Sequence, residues 1–218
     1  MRRFFCLLVS LMLASAANGD FRRYSFDTDD HYLVDASQHG PWSALLARHA
    51  QERGALDACI ADKAKCPRYM RGLHYIVNRG RELDERRQLS LVNEFINKRH
   101  AIRQNELRPR GDDGWKTLTT FLKEGGDCED FAIAKYFVLR ELGFEIDDLR
   151  VLIVWDREAR AYHALLAANI EPRAVLLETD NTMRTGSGQR DYRFLYAINE
   201  HGVWDHMLHA GLERLPRW

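Results

Sequence analysis

Between Cys128 and Leu142 the chain carries apolar residues on most sides of a helix. Phe131, Ala134, Val138 and Leu142 fall on one face at helical spacing, and Ala132, Ile133 and Phe137 widen it. A helix with so broad an apolar face is stable only when other elements pack around it. Gly143 ends it. Asp127 stands at the N-cap, with Asp130 at the third helical position as a weaker form of capping box.

The flanking chain changes period across this helix. Before it, Trp42, Leu45, Leu46 and His49 recur at i, i+3, i+4 and i+7. A second helical run covers 66–78 with Tyr69, Leu73 and Ile76 on its apolar side. A third covers 88–99 with Leu89, Leu91, Val92, Phe95 and Ile96. Residues 20–40 are polar and turn-rich and are expected to be extended or poorly ordered. Pro109, Gly111 and Gly114 make 103–114 a loop. After Gly143 the pattern turns to strands at Leu149–Trp155, Ala161–Ala168, Arg173–Thr179 and Tyr192–Ile198, with a flexible loop at 186–189. Short connections predict an antiparallel meander. The fold class is therefore α+β: a helical N-terminal half and a central helix headed by Cys128, packed on an antiparallel sheet. The 218 residues are 45% hydrophobic, enough for one sizeable core. No repeat or boundary divides them, so residues 20–218 read as a single domain.

The first 19 residues read as a cleaved secretory signal. Arg2-Arg3 is the basic start, Phe4–Ala14 the apolar stretch, and Ala14–Gly19 a run of small residues and Asn18 before a cut between Ala16 and Asp20. That stretch is well short of the roughly 20 residues that span a bilayer. No later segment is long and apolar enough to cross one, so the mature protein is expected to be exported, soluble and not inserted in the membrane. Lys+Arg and Asp+Glu both number 32, a balance that gives no electrostatic case for nucleic acid or an anionic membrane as main partner.

Cys6 leaves with the signal, and Cys59, Cys66 and Cys128 remain. In an oxidising compartment an odd count suggests one pair and one free thiol. Cys59 and Cys66 are close enough in sequence to close a short loop, although two buried thiols would fit the same pattern.

Cys128 begins the central helix after Gly125-Gly126, which leave room for a substrate backbone. The helix N-terminus lowers a thiol pKa and offers N–H donors for an oxyanion. His163 lies in a strand, on the face of Ala161, Leu165 and Ala167, taken as the face that meets the helix. Asp180 closes the next strand. Cys, His and Asp in this order supply a nucleophile, its base and the group that orients the base. Each has a plainer reading as a small buried hydrophobe, a satisfied strand histidine and a turn aspartate.

Asp127 and Glu129 flank the cysteine and should raise its pKa. Three acids in four positions, counting Asp130, exceed what capping needs. Asp112 and Asp113 add two more in a loop that can fold over the same point. Hard oxygen ligands converging from a loop and a helix start suit Ca²⁺, which would reverse the local field, although the spacing is not that of an EF-hand.

These residues resemble the bacterial transglutaminase-like cysteine proteinases, specifically the LapG-type periplasmic adhesin proteases. The match rests on Asp113-Gly114-Trp115 and on the run Gly126-Asp127-Cys128-Glu129-Asp130-Phe131-Ala132-Ile133-Ala134-Lys135-Tyr136. The His163–Leu166 strand, Leu177–Asn181, and Asn93 and Asn97 of the helical lead-in support it. The resemblance implies a papain-like or transglutaminase-like fold with Cys128, His163 and Asp180 as triad. It also implies calcium dependence through Asp127 and Glu129. The implied substrate is the N-terminal region of a large surface adhesin, cut at a paired-alanine site so that biofilm disperses. The implied regulator is the periplasmic domain of an inner-membrane cyclic di-GMP receptor. Two departures stand out: Thr117-Leu118 replaces an expected Thr-Pro, and Glu178-Thr179 makes the approach to Asp180 more polar than usual, leaving Asp191 as a second candidate. The same triad would serve acyl transfer or deamidation, and a non-catalytic calcium-binding module with a structural Cys128 also fits the residues.

Overall fold

A computed structural model describes residues 24–26, 32–99, 114–170, 174–185 and 191–206. In chain order its elements are β1 (Tyr32–Asp35), α1 (Gly40–Ala61), α2 (Arg71–Gly80), α3 (Glu85–Arg99), α4 (Leu118–Glu124), α5 (Cys128–Glu141), β2 (Leu149–Asp156), β3 (Ala161–Asn169), β4 (Ala174–Leu177), β5 (Met183–Thr185), β6 (Tyr192–Ile198) and β7 (Gly202–Asp205). The signal segment, Asp112, Asp113 and the 186–189 loop lie outside the described residues.

Local chemistry sets the helix starts. His39 caps α1 by accepting the Trp42 amide through Nδ1 at 3.3 Å, with Pro41 in the first turn. Thr117 caps α4 by accepting the Thr120 amide at 3.3 Å. This short helix was not foreseen, because Pro109, Gly111 and Gly114 drew the reading of the preceding segment toward a loop. Cys59 and Cys66 are disulfide-bonded and tie the end of α1 to the approach to α2. Among the described residues Cys128 is the free cysteine.

The strands form one antiparallel sheet in the order β1-β7-β6-β2-β3-β4-β5. The simple meander expected from the short connections holds only from β2 to β5. The edge of β4 is taken by β5, and β6 returns to the open edge of β2. Residues 32–35, expected to be extended or poorly ordered, are extended and join the sheet as β1 beside β7.

The core lies on both sides of this sheet. Phe131, Ile133, Val138 and Leu139 of α5 are fully buried and share a cluster with Ala164, Leu166 and Ala168 of β3. Leu165 and Ala167 belong to a separate cluster with Tyr192, Phe194 and Tyr24. The phase assigned to β3 was therefore one residue off: Ala164, not His163, begins the row beneath α5. Strand residues buried on both faces carry no polar–apolar alternation to fix that phase. Truncating a residue such as Leu139 to Ala would cost about 2–5 kcal/mol. Among the described residues no helix is long and apolar enough to cross a membrane.

Candidate active site

The approach to Cys128 is built backwards from Asp130. Its carboxylate is fully buried and accepts the backbone amides of Lys116 at 2.8 Å and Asp127 at 3.3 Å. These contacts lock the helix start against the chain entering α4 and leave Cys128 as the first helical residue. A Cβ on Gly126 would lie 2.2 Å from Asp130 Oδ2, so only glycine fits there. Gly125, at φ 73°, adopts the left-handed conformation needed to turn into α5.

The sulfur is half-buried between α5 and β3. Its thiol donates to Glu129 Oε2 at 3.1 Å. Burial pushes the Cys128 thiol well up, and the Glu129 and Asp127 carboxylates push it further. The Ala164 backbone amide acts in the opposite direction. That amide belongs to the residue after His163, so the sulfur meets the β3 backbone next to His163, whereas the His163 side chain alternates to the opposite sheet face, with its ring 6.1 Å from that of Tyr192. Glu129 is itself shifted upward, first by burial and then by the adjacent Asp127 charge, with which it also shares a hydrogen bond.

The His163 ring is engaged by Glu178 and lies beside Tyr192. Its Nε2 lies 3.4 Å from Glu178 Oε2, and the two side chains are 20% and 3% exposed, so water screens the contact little. Glu178 Oε1 accepts the Tyr192 hydroxyl at 2.9 Å and pairs with Arg184 Nε at 3.5 Å.

Asp180 does not meet His163 in this geometry, contrary to the expected triad. Leu166 faces Leu177 across β3 and β4, and continuing that register would set His163 opposite Asp180. The strand stops at Leu177, however, and a turn follows. The Glu178 amide donates to Thr182 O at 3.0 Å, and Asn181 sits at φ 70°. Asp180 at the tip accepts the Thr182 amide at 2.9 Å and hydroxyl at 2.5 Å, and its Oδ2 accepts from Arg184 Nη2 at 3.2 Å. Burial pushes this carboxyl up, but Thr182 and Arg184 outweigh it and hold it below its ordinary value. Asp191, the second candidate, pairs with Arg157 at 3.6 Å.

Glu178 was passed over because Asp180 filled the family position. Its signal was the period of two, which sets residue 178 diagonal to His163 on the same face. Lys135 was also overlooked, a lysine enclosed by apolar residues of α5.

For a cation, the mutually contacting carboxylates of Asp127 and Glu129 offer hard oxygen donors beside the sulfur, and their raised energy when both are charged favours a positive partner. Among the described residues no group of three or more His, Cys, Asp or Glu side chains is arranged to hold a metal.

A family profile described as bacterial transglutaminase-like cysteine proteinase matches residues 50–210. Among solved structures, Legionella pneumophila LapG aligns with 80% of this chain and 90% of its own at 22% identity and a TM-score of 0.59. Its calcium-bound form aligns with 69% of this chain and 85% of its own at 26% identity and 0.58. Its EGTA-treated form aligns with 86% and 95% at 21% identity and 0.60. No curated protein matches the chain.

Proposed function

Because the chain belongs to the bacterial transglutaminase-like cysteine proteinases, we propose that it is a calcium-dependent periplasmic endopeptidase with Cys128 as nucleophile and His163 as base. It is a LapG-like cysteine peptidase by family and fold. The reading is supported by the free thiol at the start of α5, which meets the backbone amide of Ala164, the residue after His163 in β3.

The chemistry is that of a thiol nucleophile and its base. His163 takes the thiol proton as the sulfur attacks the scissile carbonyl, and backbone N–H groups of the first turn of α5 donate to the developing oxyanion. The proton then passes from the imidazole to the leaving amine. Water attacks the acyl-enzyme, with His163 again as base, and regenerates the thiol.

Asp127 and Glu129 are the proposed calcium ligands, with Asp112 and Asp113 as further oxygen donors. A bound Ca²⁺ supplies positive charge next to the sulfur. Glu129 holds the thiol proton in the present arrangement. With its oxygens held by a cation, Glu129 would no longer accept the thiol proton, and the local negative charge would no longer oppose the thiolate. Solved LapG structures described as calcium-bound and EGTA-treated support this reading.

The proposed substrate is the N-terminal region of a large surface adhesin, cut at a paired-alanine site so that it leaves the cell and biofilm disperses. The proposed regulator is the periplasmic domain of an inner-membrane cyclic di-GMP receptor. Residues 1–19 act as the export signal and 20–218 as the mature domain. Incubating the protein with N-terminal fragments of large repetitive surface proteins, in calcium or in EGTA, and mass-mapping new termini tests the function. Calcium-dependent cleavage that Cys128→Ala abolishes is expected. Unchanged termini in calcium, or mass changes of deamidation or cross-linking alone, would replace the endopeptidase reading.

A further inference from the structure

The β2–β3 ladder runs past the start of α5. That helix ends at Glu141, and after a short connection β2 begins at Leu149, opposite Ala168. Its other end, at Cys128, meets the backbone amide of Ala164. Ala164 faces Ile153 across the ladder, and the pairs Val154–His163, Trp155–Tyr162 and Asp156–Ala161 follow beyond it. Alternation returns to the α5 side of the sheet at Trp155 and Tyr162. Trp155 packs against the same core cluster as Cys128, Ile153 and Ala164, while Val154 belongs to the cluster on the opposite face. Beyond the helix start, the sheet face that carries the sulfur therefore ends in two aromatic rings. They meet edge to face, with centroids 5.1 Å apart and planes at 76°. Tyr162 is 54% exposed, a large apolar surface turned to solvent beside a helix terminus.

We propose that Trp155 and Tyr162 form an apolar subsite of the Cys128 centre, which takes an apolar side chain of a peptide substrate about two residues from the bond that is cut. The proposal rests on Cys128 being the nucleophile and names the side chain that this centre selects. A strand advances about 3.3 Å per residue, so the step from Ala164 to Tyr162 is about 7 Å, the length of two residues of an extended peptide. A peptide with its scissile carbonyl at the sulfur and its chain running toward the hairpin reaches the rings at that distance. The surface is pre-formed: the core holds Trp155, and Trp155 holds the Tyr162 ring by its edge. Aromatic rings so held offer a large contact area at little cost in side-chain entropy. An aliphatic or aromatic side chain laid on them leaves water, whereas a charged one gives up hydration. Trp155 and Tyr162 are specificity-determining residues, since they touch the substrate without taking part in proton transfer.

The test compares two alkylating agents that differ only in the chain on the amide nitrogen: N-heptyl iodoacetamide and its diether analogue of the same chain length. Both place that chain beside the sulfur they modify, whichever way a peptide runs. Rates are quantified on the Cys128 peptide at neutral pH in calcium, at a temperature where a melt shows each protein folded. The heptyl-to-diether ratio, divided by the same ratio for glutathione, cancels the reactivity of the sulfur and of the reagents. It should be about tenfold in wild type and fall to about threefold or less in Tyr162→Ala and in Trp155→Ala. Tyr162→Phe, which keeps the ring, should hold the wild-type ratio. A wild-type ratio near that of glutathione, or a Tyr162→Ala ratio equal to wild type, overturns the subsite while leaving the nucleophile in place. Failure of both reagents to modify Cys128 in the folded wild type removes the nucleophile itself, and the subsite with it.

Discussion

The thiol of Cys128 donates to Glu129 Oε2 at 3.1 Å, so the proposed nucleophile is paired with the residue that follows it in the chain. A hydrogen bond to a charged group contributes about 1.5–3 kcal/mol, and it favours the protonated sulfur. Glu129→Gln removes the charge and weakens that hold. Burial still raises the thiol, so the release is partial. In EGTA the variant should be alkylated at Cys128 about tenfold faster than wild type, and calcium should no longer accelerate it. A variant as slow as wild type in EGTA would remove Glu129 from control of the sulfur.

Calcium should also register as stability. A ligand that binds only the folded state at a hundred times its Kd adds about 2.7 kcal/mol, roughly 5–10 °C in Tm for a chain of this size. Differential scanning fluorimetry in EGTA and in calcium reads this directly. The shift should vanish in Asp127→Ala and in Glu129→Gln. An equal shift in all three proteins would place the ion elsewhere.

Lys135 makes the pH dependence of stability distinctive. Burial pulls its pKa down to about 7, against an ordinary 10.5, despite the opposing pull of Glu178 and Asp180. The unfolded chain therefore binds the proton that the folded chain sheds between these values. The stability linked to neutral Lys135 is fully present above pH 10.5 and is lost as pH falls toward 7. Urea unfolding of wild type, referenced to Lys135→Met to cancel other groups, should show the wild type gaining ground from pH 7 to pH 10. A pH-independent difference would mean that the amine titrates alike in both states.

Gly126→Ala tests the geometry that sets Cys128 at the helix start. The new methyl would fall 2.2 Å from a buried carboxylate that already holds two amides. Overpacking of this kind costs about 1–3 kcal/mol, and displacing Asp130 moves the first turn. Urea melts should show that loss, with Cys128 alkylation in calcium falling more than stability does. Wild-type values for both would rule out the close approach.

The central helix was legible in the sequence because its breadth of apolar residues and its Gly-Asp-Cys start are local signals, and α5 runs from Cys128 as its capping residues predict. The odd cysteine count and the seven-residue spacing allowed either a Cys59–Cys66 disulfide or two buried thiols, and the disulfide is what forms. What escaped was non-local. The return of β6 to β2 depends on which strand edge is open after β5 forms. The phase of β3 is invisible where both faces are buried. The partner of His163 turns on β4 ending at Leu177, two residues before a turn closed by Thr182. Residue type and family position favoured Asp180, and the turn that holds Asp180 on its own contacts leaves Glu178 at the ring. Asp112 and Asp113 fall outside the described residues, so their proposed place in the calcium site rests on sequence alone.

The central claim is that His163 makes the thiolate of Cys128. Alkylation of Cys128 by iodoacetamide at neutral pH in saturating calcium, compared between wild type and His163→Ala, measures it most directly. The account predicts rapid modification of the wild type and a loss of at least about a hundredfold in the variant, the scale at which general bases contribute. Equal rates in the two folded proteins would contradict it.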